Sequence, residues 1–231
     1  MTPAEFTAEL DARIAKFDLL CHPFYKAWSE GQLTREDLRE YALDYFEHVE
    51  SFPRYLAELA MRLDDGQTRR AVLANMTEEL GGDGAHKGPS HADLWMDFAR
   101  GMGAEKQRTR PVLDEIKSLV KHFTDVASTG SVDEALAAFY AYESQVPRIA
   151  SEKERGLRAW YGADDATCRY FTLHQTADVY HSQVWRKLLE KRVADDAGAA
   201  ERALAAGEKA ASQLWKALDG MERRRQTAVA A

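Results

Sequence analysis

Apolar residues recur at helical spacing along almost the whole of this chain, and alternating β-branched runs bounded by turn signals are missing. A sheet has nothing to build on here, so the expected fold is all-α. Periodic segments run from Thr34 to about Leu63, from Gln67 to Leu80, through HADLWMDFARGMG, and from Pro111 to Ala127. Others run from Val132 to about Tyr161, from Ala163 to Lys191 and from Ala194 to Arg223. The punctuation agrees, with Thr34 as an N-cap ahead of Arg35, Glu36 and Asp37, and Gly81-Gly82 closing the second segment. Leu204, Leu214, Trp215 and Leu218 form the inner stripe of the last helix. Short connections between long helices favour an up-and-down bundle of about seven or more helices. No Pro- or Ser-rich linker interrupts the 231 residues, so 1–223 reads as one domain and 224–231 as a frayed tail.

Charge narrows the partners. Lys and Arg number 31 against 38 Asp and Glu, a net charge of −7. Such a chain presents no basic field to draw phosphate backbones or anionic lipid. Neither nucleic acid nor a membrane is an expected partner. No stretch approaches the ~18 apolar residues of a membrane span, and MTPAEFTAELDARIAKF lacks the apolar core of a secretory signal. Cys21 and Cys168 form no CxxC pattern, which points to a reducing compartment and away from thiolate metal sites. The expected location is the cytoplasm.

The chemistry concentrates in YFTLHQTADVYHSQ, where His174, Asp178 and His181 stand at i, i+4 and i+7 on one stripe of a helix. Tyr170, one turn earlier, shares the stripe, and Phe171, Val179 and Trp185 mark a packed helix. Two readings stay open: half of a metal site, or a polar face turned to water. Glu143 sits among Leu136, Phe139, Tyr140, Tyr142, Val146 and Ile149, and a carboxylate buried there needs a partner. Arg148 or a metal ion could serve. Pro147 cannot donate to the carbonyl of residue 143 and is expected to bend the helix. Glu78 and Glu79 end a helix at its negative pole, which is unfavourable unless a cation lies near. His91 opens the next packed helix and is the better ligand candidate in that region, whereas His86, in a Gly-rich loop, is expected to face solvent.

Together Glu79, His91, Glu143, His174, Asp178 and His181 offer three carboxylates and three imidazoles from four helices. That is the ligand mix of carboxylate-bridged iron or manganese pairs in helical bundles. Two divalent ions would leave a small positive surplus over the carboxylates, which hydroxide, peroxide or a substrate anion could neutralise. Oxygen chemistry suits this set better than structural zinc, whose sites are closed and tetrahedral.

The blocks HPFYKAWSEGQLT, YALDYFEHVESFPRYL, YAYESQVPRIASEKERGL and YFTLHQTADVYH resemble the chlamydial CADD proteins and their bacterial relatives. These are haem-oxygenase-like di-metal oxidases of the wider TenA and PqqC structural group, and the resemblance spans nearly the whole chain. It implies a haem-oxygenase-like helical bundle, usually a homodimer, that makes 4-aminobenzoate for folate synthesis. The implied cofactors are two metal ions, iron or manganese, with O2 and an external reductant as co-substrates. The family's ligand pattern falls on the same six residues. The loop before HADLW is several residues longer than the family's, which keeps His86 open as an alternative to His91. The resemblance also implies self-sacrifice, with Tyr25 as aromatic precursor, Lys153 as amino donor, and Tyr142 and Tyr170 assisting radical or electron transfer. On the residues alone, Tyr25 reads as an ordinary core tyrosine. Lys153 reads as a solvated helix-end lysine, about 15 Å along the axis from Glu143 on an unbroken helix. Two other functions stay open: turnover of a free small molecule by the same metal pair, and a non-enzymatic CADD-like binding protein.

Overall fold

A computed structural model describes residues 1–64, 66–84, 87–104, 111–194 and 196–229. Among these residues all regular structure is helical, as the spacing predicts. The order is α1 (Pro3–Ala15), a short 3₁₀ turn at Leu19–Cys21, α2 (Pro23–Ser29), α3 (Arg35–Arg62), α4 (Gln67–Glu79) and α5 (His91–Gly101). Then come α6 (Asp114–Ser128), α7 (Val132–Glu143), α8 (Val146–Trp160), α9 (Asp165–Val193) and α10 (Ala197–Val229). No helix of the described residues is long and apolar enough to cross a membrane.

Local chemistry sets the boundaries. The hydroxyl of Thr34 accepts from the Asp37 N–H and the Asp37 carboxylate accepts from the Thr34 N–H, so two orphan donors at the start of α3 are satisfied reciprocally. Ser90 with Asp93 does the same for α5, which fixes His91 as its first residue. Helix α1 was not anticipated, although its signal is present: Thr2 and Glu5 form another capping box, Pro3 opens the helix, and Phe6, Leu10 and Ile14 are buried at intervals of four. The helix expected over Val132 to Tyr161 is interrupted at Ser144-Gln145, because Pro147 at the start of α8 has no N–H to continue the ladder. Both intervening residues keep right-handed helical angles, so the break is a kink rather than a loop.

Two further expectations are corrected. Residues 224–229 belong to the last helix, since α10 continues to Val229 and Arg224 is ion-paired to Asp44 of α3. Nor is the order a simple up-and-down one. Helix α3 packs on α4, α5 and α6, α9 on α5, α7 and α8, and α10 on α1, α6 and α7. At 28 and 29 residues, α3 and α9 each extend about 42–44 Å at 1.5 Å per residue, long enough to receive several shorter helices along their length. Leu204, Leu214 and Leu218 are buried as expected, and Trp215, only partly buried, lies edge-on to His22. Trp28, Trp95, Trp185, Phe98, Phe139 and Phe171 are enclosed, each adding roughly 1.5–3 kcal/mol of burial. This packed frame holds the polar interior described next.

Candidate metal centre

Helix α9 supplies one side of the site. Its stripe does not face water: His174, Asp178 and His181 are all buried, with Tyr170, Phe171 and Trp185 beside them and Val179 turned outward. Helix α4 contributes Glu79 at its last residue, and α5 contributes His91 at its first. The segment between them folds back through Gly81, whose positive φ of 94° and tight approach to the Gly88 carbonyl leave no room for a Cβ. This turn brings His91 Nδ1 to 2.8 Å from Glu79 Oε2. His86, the alternative ligand, lies outside the described residues.

Two groups of three result, Glu79 with His91 and His174, and Glu143 with Asp178 and His181. Within each group one ligand atom per residue lies within 4.8 Å of the others. Both groups border one cavity of about 10 Å³, lined by Glu79, His174, Glu143 and Asp178 together with Tyr142 and Tyr170. The six residues singled out in the sequence therefore converge.

The fit to cations rests on how these atoms are aimed. His91 Nδ1 and Glu79 Oε2 are close, yet the imidazole nitrogen has no hydrogen bond, so both atoms converge as two ligands of one ion do. His174 Nδ1 lies 2.7 Å from the Tyr170 carbonyl, which can accept its N–H and leave Nε2 as a ligand atom. Asn75 Nδ2 donates to Glu143 Oε1 at 2.9 Å, and the Trp185 indole N–H donates to Oε2. Arg148, the protein cation considered for Glu143, instead pairs with Asp18 at the surface.

Electrostatics pull the ligand residues in different directions. Burial pushes the Glu143 carboxyl up to about 8, with the neighbouring Asp178 adding to the rise. Burial also opposes the charged form of His181, but the Asp178 hydrogen bond and nearby carboxylates outweigh it and lift the imidazole to about 9. Glu79 resists its own burial through His91, His174 and His181 and stays below the usual carboxylate range. Glu143 and His181 are thus pushed towards their protonated forms, whereas burial lowers the pKa of His174.

A second polar cluster lies behind an aromatic wall. Lys153 is not solvated: it is 7% exposed, which corrects the reading from helix position alone. Its Nζ donates to Tyr41 Oη at 2.5 Å and sits 4.3 Å from the centroid of the Tyr25 ring. Tyr41 Oη is also 3.0 Å from Tyr25 Oη. Burial holds the lysine well below its ordinary pKa and raises the Tyr25 and Tyr41 phenols above theirs. A cavity of about 30 Å³ is bordered by Tyr25, Lys153, Tyr45 and Trp95, and again by Tyr142 and Tyr170. These two tyrosines thus line both cavities.

Sequence reasoning missed Tyr41, Asn75, Trp185 as a donor, and the pairing of Glu78 with His181. Trp185 and Asn75 were detectable, being one turn beyond His181 and one turn before Glu79 on the same helical faces. Tyr41 had no signal, because its contacts join helices distant in sequence. His48, fully buried against Tyr142 with neither ring nitrogen hydrogen-bonded, also went unnoticed; burial lowers its pKa to about 3.

Comparison with known proteins agrees with this geometry. The family described as iron-containing redox enzymes matches residues 39–216. The 4-aminobenzoate synthase of Chlamydia trachomatis is 37% identical over 217 residues, covering 93% of this chain and 90% of that protein. The 4-aminobenzoate synthase of Nitrosomonas europaea is 38% identical over 233 residues, covering 96% and 92%. In fold, a TenA homologue from Pseudomonas syringae superposes with a TM-score of 0.79 at 18% identity, covering 95% of this chain and 92% of that one. The expected haem-oxygenase-like, TenA-like architecture is thereby shown, and the chain belongs to the haem-oxygenase-like family of iron-containing redox enzymes.

Proposed function

We propose that this protein forms 4-aminobenzoate, using two metal ions, iron or manganese, and consuming its own Tyr25 and Lys153. Glu79, His91 and His174 would hold one ion, and Glu143, Asp178 and His181 the other. The observation that carries the reading is the shared lining: Tyr142 and Tyr170 border both the cavity lined by Glu79, Glu143, His174 and Asp178 and the cavity containing Tyr25 and Lys153. Relatives at 37% and 38% identity, named 4-aminobenzoate synthase, supply the product. When bound, the metal pair supplies oxidising power from O2 and an external reductant.

The protein's residues account for the remaining requirements. A tyrosine ring with its Cβ contains the carbon skeleton of a benzoate, so Tyr25 can provide all the carbon once its Cα–Cβ bond is broken, while the carboxylate oxygens would come from O2 or water and the nitrogen from an amine. Lys153 Nζ is the amine placed against that ring. Its burial, with no ion-paired carboxylate among the described residues, favours the uncharged amine, and only that form has a lone pair. Tyr41 orients both reactants through its hydroxyl. The cavity supports an internal substrate: about 30 Å³ compares with the ~150 Å³ of a protein cavity that binds benzene, so a free aromatic substrate has no ready-made place.

The test is product formation by purified, iron-loaded protein given O2 and reductant, with Tyr25→Phe alongside. Wild type is expected to release 4-aminobenzoate and the variant none. Wild-type yield from the variant would overturn the assignment.

A further inference from the structure

Glu78 belongs to neither ligand group, yet its Oε2 lies 2.9 Å from His181 Nε2. The opposite ring nitrogen, Nδ1, lies 3.3 Å from Asp178 Oδ1. His181 is thus gripped at both edges, by a buried carboxylate on one side and a half-exposed one on the other. A neutral imidazole has one N–H and one lone pair, and the partner on one nitrogen decides which atom carries the lone pair.

We propose that Glu78 is a positioning residue for one metal position: it accepts the Nε2–H of His181 and so presents Nδ1 to the ion held with Glu143 and Asp178. The inference deepens the dinuclear reading and rests on it. A carboxylate behind a metal-bound histidine fixes the tautomer and ring plane and makes the imidazole a stronger ligand. Among the described residues, neither His91 nor His174 is paired with a carboxylate outside the ligand groups. His174 has a neutral backbone carbonyl behind it, and His91 Nδ1 faces Glu79, a member of its own ligand group. The two positions are therefore unequal in ligand strength, although each has three candidate ligands.

The arrangement also accounts for the two acids at the end of α4. Successive helical residues point about 100° apart, so Glu79 and Glu78 cannot aim at the same ion. Glu79 reaches the first position directly, and Glu78 reaches the second through the His181 ring. Both acids sit at the negative pole of their helix because each faces a cation-binding group.

The test is anaerobic titration of metal-free wild type, Glu78→Ala and Glu78→Gln with Mn(II), following bound metal by electron paramagnetic resonance. Glu78 has its side chain 51% exposed, so neither substitution empties the core, and circular dichroism checks the fold. Wild type is expected to bind two equivalents. Glu78→Ala should also bind two, with one step weakened about 10- to 100-fold and the other unchanged. Glu78→Gln, which keeps an acceptor oxygen but loses the charge, should fall between them. Two unaltered steps in Glu78→Ala would overturn the proposal, and so would a fall to one equivalent, which would make Glu78 a direct ligand. Fewer than two equivalents in wild type would instead refute the dinuclear reading beneath it.

Discussion

Replacing Lys153 with Met should stabilise the metal-free protein at neutral pH and erase a pH dependence that wild type carries. Lys153 is buried, and no carboxylate among the described residues forms an ion pair with it. Folding therefore lowers the pKa of an amine that is protonated in the unfolded chain up to its ordinary value of 10.5. Between the depressed folded value and 10.5, the unfolded state binds one more proton. Wild-type stability then rises with pH, by up to about 1.4 kcal/mol per unit, and levels off above 10.5. Methionine keeps most of the apolar stem and loses one hydrogen bond, a cost of about 1 kcal/mol, while the Tyr41 hydroxyl retains Tyr25 as a partner. The advantage of Lys153→Met should be full at and below the depressed folded value and shrink by about 1.4 kcal/mol per unit from there to 10.5, ending as a loss of about 1 kcal/mol. Denaturant unfolding of both proteins at several pH values from neutral to alkaline measures this, and taking the difference cancels the other titrating groups. A difference that is flat with pH would refute the buried, uncharged lysine and with it the amine's readiness to react.

Three other outcomes follow from the packing and the site. Gly156→Ala would put a Cβ 2.8 Å from Trp28 Cδ1, so thermal melts should show a loss of about 1–3 kcal/mol, or several degrees in Tm. Trp185→Phe removes the indole donor from Glu143 and should cost about 1–3 kcal/mol in denaturant unfolding, with weaker metal binding at that position. Mn(II) added to metal-free protein at about 100 times its dissociation constant should raise stability by about 2.7 kcal/mol per site, whereas an unchanged melting curve would contradict cation binding by the native state.

How much the sequence discloses depends on how local each feature is. The α9 stripe is legible because a single helix carries His174, Asp178 and His181 at fixed spacing, and Glu143 is legible because an acid in an apolar run demands a partner. Their convergence with Glu79 and His91 is not local. It depends on the Gly81 turn and on α4 and α5 both packing against α9, which no spacing within one helix reveals. Lys153 shows the limit most clearly. Its neighbours Ser151, Glu152, Glu154 and Arg155 are those of a surface segment, yet its own side chain faces inward among Tyr25, Trp28 and Tyr41. Helix α1 is a different case, since Thr2, Pro3 and Glu5 announce it and the reading passed over them.

The most direct test of the account is the intact mass of iron-loaded protein before and after O2 and reductant, with peptide mapping. The account predicts a mass loss localised to Tyr25, a change at Lys153, and no more than one 4-aminobenzoate per chain. Product accumulating beyond one per chain while both residues keep their original mass would contradict it.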